Sequence, residues 1–64
     1  MKRNQLIQKL NKEARDMGVP FSVNMGRGKG GHCIVFFGDK QTTVKSGEIT
    51  PMYEKLIRKQ LGLK

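Results

Sequence analysis

The stretch HCIVFFGDKQTTVK, residues 32–45, decides how this chain reads as a fold. HCIVFF (32–37) is a β-branched and aromatic strand, GDK (38–40) is a tight turn, and QTTVK (41–45) answers as a second short strand, so the whole reads as a hairpin. Alternation sets His32, Ile34 and Phe36 on one side and Cys33, Val35 and Phe37 on the other. Both sides are apolar further along. A lone Cys among Val and Phe behaves as a small buried hydrophobe, so Cys33, Val35 and Phe37 are read as inward. His32 then points to solvent, and Ile34 and Phe36 stay partly exposed on a face that calls for a covering partner.

Upstream, VPFSVNM (19–25) also alternates, with Val19, Phe21, Val23 and Met25 on one side and Ser22 and Asn24 on the other. It reads as a strand in which Pro20 is tolerated only near the start or on an edge. NQLIQKLNKEARDMG (4–18) carries Leu6, Ile7, Leu10, Ala14 and Met17 at helical spacing, with Asn4 as N-cap and Gly18 just past the end. Downstream, SGE (46–48) is a loop and TPMYEKLIRKQLG (50–62) a second helix. Thr50 caps it, Pro51 takes its first position, and Gly62 stands beyond its end. Its apolar face is read as Met52, Tyr53, Leu56, Ile57 and Leu61, with Tyr53 and the methionines at helical spacing in the core and base stacking as the alternative for Tyr53.

The order is helix, three strands, helix. Short connections make the strands an antiparallel meander with both helices on one face, an α+β arrangement resembling double-stranded-RNA-binding domains. The 64 residues leave room for one domain, 1–64, without linker or repeat. A chain this short buries only roughly 60% of its unfolded surface, so its stability is marginal. Cys33 cannot pair within the chain, and one Cys with one His cannot make a structural zinc site. Stability must come from packing and from a partner.

Thirteen Lys and Arg against five Asp and Glu give a formal net charge of +8, which points to a polyanionic partner. MKRNQLIQKLNKEARD (1–16) interrupts its apolar residues with charges at every turn, unlike a signal peptide, and no long apolar run would span a membrane. The expected location is the cytoplasm, where a lone thiol stays reduced.

Between the first two strands lies GRGKGGH (26–32), four glycines in six residues threaded by Arg27 and Lys29 and ending on the only histidine. Gly26, Gly28 and Gly31 match a dinucleotide fingerprint formally, but that loop must open a helix, and here a strand follows. Lys29 is followed by Gly30 rather than Ser or Thr, which excludes a Walker loop. The short KH clamp joins two helices, whereas this loop joins two strands. A plain reading remains: a flexible hairpin loop, with Gly28, Gly30 and Gly31 supplying the freedom and two cations aiding solubility.

His32 tilts that balance. Cleaving RNA requires a proton taken from a 2′-hydroxyl or given to the leaving oxygen, and an imidazole can do either near neutral pH. Arg27 and Lys29 would hold the scissile phosphate and offset growing charge, and the glycines would let the RNA backbone approach closely. Cys33 as nucleophile is disfavoured, since no second histidine would activate it. Cations of the two helices, Lys9, Lys12 and Arg58 among them, are solvated by default and with this net charge are read as guides for RNA phosphates.

RGKGGHCIVFF, TTVKSGEITP and the closing LIRKQLGL together resemble the HicA toxins of bacterial HicA–HicB toxin–antitoxin pairs. The resemblance runs from the first helix to KQLGL. It implies a ribosome-independent mRNA-cleaving endoribonuclease of double-stranded-RNA-binding-like fold that acts in stress responses. It further implies His32 as the catalytic residue, no metal, no organic cofactor, and a HicB antitoxin that binds the protein and covers His32. Two positions depart from the family. Gly31 stands where many members carry Ser, and TTVKSGEI lacks the second histidine that many carry before the GEL or GEI segment. Lys45 or Lys29 would serve there only by stabilising charge.

Three functions compete at this level: a toxin ribonuclease acting on single-stranded mRNA, a non-catalytic RNA-binding module of the same fold in which His32 only contacts RNA, and a purely protein-binding chain whose charge serves solubility.

Overall fold

The computed structural model describes residues 1–25 and 31–63. Helix α1 spans Arg3–Met17, strands β1, β2 and β3 span Phe21–Met25, Cys33–Phe37 and Lys40–Val44, and helix α2 spans Pro51–Gln60. The sheet is antiparallel in the order β1-β2-β3, which makes the apolar β2 the central strand and leaves Pro20 beside an edge strand, where its missing N–H costs no ladder bond. Val23 pairs with Val35 and Met25 with Cys33, while Cys33 pairs with Val44 and Phe37 with Lys40. Gly38 and Asp39 close the β2–β3 hairpin, and Gly38 has φ 63, a left-handed value that favours glycine at the first position of such a turn.

Cys33, Val35 and Phe37 are buried and join Leu6, Leu10 and Ala14 of α1 and Ile57 of α2 in one cluster, so both helices cover the same sheet face. Ile34 and Phe36 are half-exposed on the other face, across from Asn24 and Thr43 and from Ser22 and Gln41 respectively. The inward reading of β2 holds. Thr42 is buried on β3, and its hydroxyl donates to Gln60 Oε1, so the polar group on the covered face is answered from α2.

Helix ends follow the sequence with one exception. Gly18 takes a left-handed conformation (φ 72), and Val19 N donates to Ala14 O at 3.0 Å, closing α1 in a Schellman turn. Thr50 Oγ1 accepts from Tyr53 N at 3.1 Å ahead of Pro51, and Leu63 N donates to Arg58 O at 2.7 Å around Gly62. The exception is Asn4, expected to cap α1. Lys2 occupies that position, its backbone N–H donating to Gln5 Oε1 at 2.8 Å. The displacement has a cause outside the helix: Lys2 bridges Glu48 and Ile49 N donates to Met1 O at 2.6 Å, so pairing with the segment before α2 orders the backbone ahead of Asn4.

The expected placement of the helical methionines, Met17 and Met52, in the core is overturned, and Met25 of β1 is exposed as well. Met17 and Met25 are each 57% exposed, Met52 is 83% exposed, and Leu56, read with Met52 as part of the α2 core face, is 50% exposed. The α2 apolar residues span more of the helix than a narrow three-stranded sheet can cover, and Ile57 and Leu61 take the buried arc. Tyr53 is half-buried against the core. No helix among the described residues is long and apolar enough to cross a membrane.

Candidate functional site

The histidine end of the sheet is assembled from three segments that sequence distance keeps apart. His32 is exposed and directly precedes β2, so the central strand fixes its backbone from one side. The β2–β3 ladder ends at the Cys33–Val44 pair, and His32 and Lys45 are the next residues along the chain from it. Lys45 is exposed, and its backbone N–H donates to Tyr53 Oη at 3.1 Å, which ties the end of β3 to the first turn of α2. The Tyr53 hydroxyl is therefore a structural acceptor.

The third segment is the start of α1. Arg3 N donates to Gly47 O at 3.1 Å, and Arg3 Nη1 donates to Gly31 O at 2.6 Å, so one residue joins the loop before β2 to the loop after β3. Arg3 Nε is buried and has no hydrogen-bond partner among the described residues. This role was missed from the sequence, where Arg3 reads as one more cation of a basic helix. A signal existed: the first turn of α1 has no acidic residue, and cations there oppose the helix dipole. A charge placed against that field is explained by a specific acceptor, here the Gly31 carbonyl.

Gly31 adopts φ 69, and a Cβ built on it would stand 2.7 Å from Ser46 Oγ and 3.1 Å from Ser46 Cβ. Both facts demand glycine. Ser46 thus fills the space that a side chain at position 31 would take, and a hydroxyl lies beside the residue preceding His32, carried by the opposite loop. Lys2, Arg3, Asn4 and Gly47 line a groove of about 230 Å³ next to this junction. The described part of the region offers one imidazole, an exposed ammonium on Lys45, the Arg3 guanidinium and the Ser46 hydroxyl. Such a set can attract and orient a phosphodiester and move one proton.

Arg27, Gly28, Lys29 and Gly30 lie outside the described residues. The remaining cations expected to guide RNA divide in two. Lys12 and Lys45 are exposed and in no ion pair among the described residues. Lys9 Nζ instead sits 3.1 Å from Glu54 Oε2, and Arg58 donates from Nη1 and Nη2 to the two oxygens of Glu13 at 2.7 and 2.8 Å. These pairs fasten α1 to α2. The fork-shaped bond from Arg58 holds the Glu13 carboxyl below its ordinary range, against a smaller opposing effect of burial, and Lys9 adds to the lowering.

No protein-family model, curated protein or solved structure matches the chain.

Proposed function

We propose that this protein is a toxin-type endoribonuclease with a double-stranded-RNA-binding-like fold, cleaving single-stranded mRNA in the cytoplasm without the ribosome, a metal or an organic cofactor. The observation that carries the reading is the chain's only histidine, exposed just before the central strand, directly after a run of glycines and cations and next to the Cys33–Val44 end of the β2–β3 ladder. In this reading His32 takes the 2′-hydroxyl proton or protonates the leaving oxygen. Arg27, Lys29 and Lys45 stabilise negative charge on the phosphate. A HicB-type antitoxin restrains the enzyme by covering His32, and the half-exposed Ile34 and Phe36 beside it on β2 suit such a cover.

Expression in bacteria of the wild type and of His32→Ala tests this. Growth arrest and mRNA loss are expected for the wild type only, with the circular dichroism of the variant unchanged. In vitro, His32→Ala should lose cleavage by roughly two to four orders of magnitude while binding an unstructured RNA almost normally at neutral pH. Arg27→Gln with Lys29→Gln should instead weaken binding and flatten its log–log salt dependence by up to about 1.4, at about 0.7 per phosphate neutralised on a single strand. A folded His32→Ala that stays toxic removes the catalytic assignment. Loss of binding in His32→Ala equal to that of the double neutralisation marks a non-catalytic RNA-binding module.

A further inference from the structure

Helix α2 carries apolar side chains on two arcs, and the sheet uses one. Ile57 and Leu61 are buried, whereas Met52 and Leu56, one helical turn apart, are 83% and 50% exposed. With Thr50, Tyr53, Lys55 and Lys59 they line a surface groove of about 640 Å³. Lys55 and Lys59 are also one turn apart, and at 100° per residue they fall on one border of the Met52–Leu56 stripe, with Tyr53 on the other. Both lysines are exposed, and neither is in an ion pair among the described residues.

Three of the protein's five acidic side chains are engaged away from that border. Glu54, the acidic residue in the first turn of α2, is turned to Lys9 of α1, Glu13 is held by Arg58, and Glu48 lies with Lys2. We propose that the Met52–Leu56 groove docks an acidic amphipathic helix of a protein partner, with two apolar side chains one turn apart in the groove and carboxylates along Lys55 and Lys59. Other occupants fit the chemistry less well. RNA would satisfy the lysines and meet the ring of Tyr53, but it would leave the aliphatic Met52–Leu56 pair unused. A lipid surface needs a broader apolar arc than two residues, and the rest of this helix's apolar surface is committed to the core. A second copy related by a two-fold axis would bring the lysine borders of both copies to one interface with no acidic rows between them. Neither His32 nor Lys45 lines the groove, which meets that end of the sheet through Tyr53, and the proposal holds whether or not His32 cleaves RNA.

The test uses the full chain and a synthetic helical peptide with leucines one turn apart and glutamates beside them. Its controls are a scrambled peptide of equal composition and a counterpart with lysine for glutamate. Fluorescence anisotropy should give micromolar binding of the patterned acidic peptide, and amide shift changes should cluster at residues 52–59. Leu56→Ser should weaken binding about tenfold with circular dichroism unchanged. Lys55→Glu with Lys59→Glu should reverse the preference toward the lysine peptide, a result that loss of fold cannot mimic. Equal binding of the scrambled peptide, shift changes centred away from α2, or no reversal in the double variant overturns the proposal. So does displacement of the peptide from α2 by single-stranded RNA or by phosphatidylglycerol vesicles, or a dimer of the free wild type that Leu56→Ser dissolves.

Discussion

On the covered face of the sheet, Leu6, Leu10, Ala14, Val35 and Ile57 are fully buried, and polar groups answer one another: Thr42 meets Gln60, and Glu13 meets Arg58. At the His32 end, Gly31, His32, Lys45, Ser46 and Gly47 are all exposed, and the chain is held by individual hydrogen bonds from Arg3 to Gly31 and Gly47 and from Lys45 to Tyr53. The contrast teaches that folding and the candidate chemistry draw on different residues. A domain this small has little stability to spare, and it places its exposed imidazole on an end whose backbone is pinned by Arg3 rather than by buried side chains.

The separation breaks if a core residue and the histidine cost the same stability. Leu10→Ala should destabilise by about 2–5 kcal/mol, since a fully buried Leu loses its transfer energy and leaves a cavity. Ile57→Val provides a gentler version at about 0.5–1.5 kcal/mol. His32→Ala should stay within about 0.5 kcal/mol of wild type, as an exposed substitution does. Urea unfolding of the three variants measures this directly, and a loss at His32 comparable to that at Leu10 would place the histidine in the core network.

Most of the framework was legible because it rests on local rules. Thr50–Pro51, Gly18 and Gly62 mark helix ends through backbone chemistry that needs no partner, and the GDK turn fixes the β2–β3 register. The lone Cys33 pointed to the inward side of β2. What stayed hidden depends on contacts between distant segments. Asn4 is a good cap by type, but pairing of Met1 and Lys2 with Glu48 and Ile49 moved the start of α1 to Arg3. The spacing of Met52 and Leu56 matches a core face as well as that of Ile57 and Leu61 does, and only the width of the sheet decides between the arcs. At the site, the position of His32 and its exposure were legible from strand alternation. The Arg3–Gly31 bond and the meeting of Gly31 with Ser46 were not, because the first joins α1 to the loop before β2 and the second joins the two ends of the β2–β3 hairpin.

The pinned backbone before His32 gives the next test. Gly31→Ala must hold a left-handed φ and push Ser46 aside, and should cost about 1–3 kcal/mol. Ser46→Ala removes the nearer clash at 2.7 Å but not the backbone strain or the contact at 3.1 Å. In that background Gly31→Ala should therefore cost less than in the wild type, while still costing something. A double-mutant cycle by thermal unfolding reads the coupling, expected at about 0.5 kcal/mol or more for side chains in contact. Strict additivity would mean that Ser46 rotates away freely and that glycine is required for its φ alone.

The smallest expected effect concerns the fastening of α1 to α2. Glu13 is ionised and bound to Arg58 in the folded state, which holds its pKa below the unfolded value. The stabilisation is therefore fully present above the unfolded carboxylate range near pH 4–5, and is lost as pH falls through the lower folded value. Arg58 stays charged throughout and contributes no slope of its own. Glu13→Gln should cost about 1 kcal/mol at neutral pH, since both side chains remain partly open to solvent, at 20% and 28% exposure, and screening trims the pair. For a domain of this size that corresponds to about 4–8 °C in Tm. The difference between wild type and Glu13→Gln should shrink steadily below about pH 4 and narrow in high salt at neutral pH. A gap that stays constant down to pH 2.5 and ignores salt would show that Glu13 contributes by packing its methylenes between the helices. The two helices would then be held by apolar burial together with the Lys9–Glu54 pair.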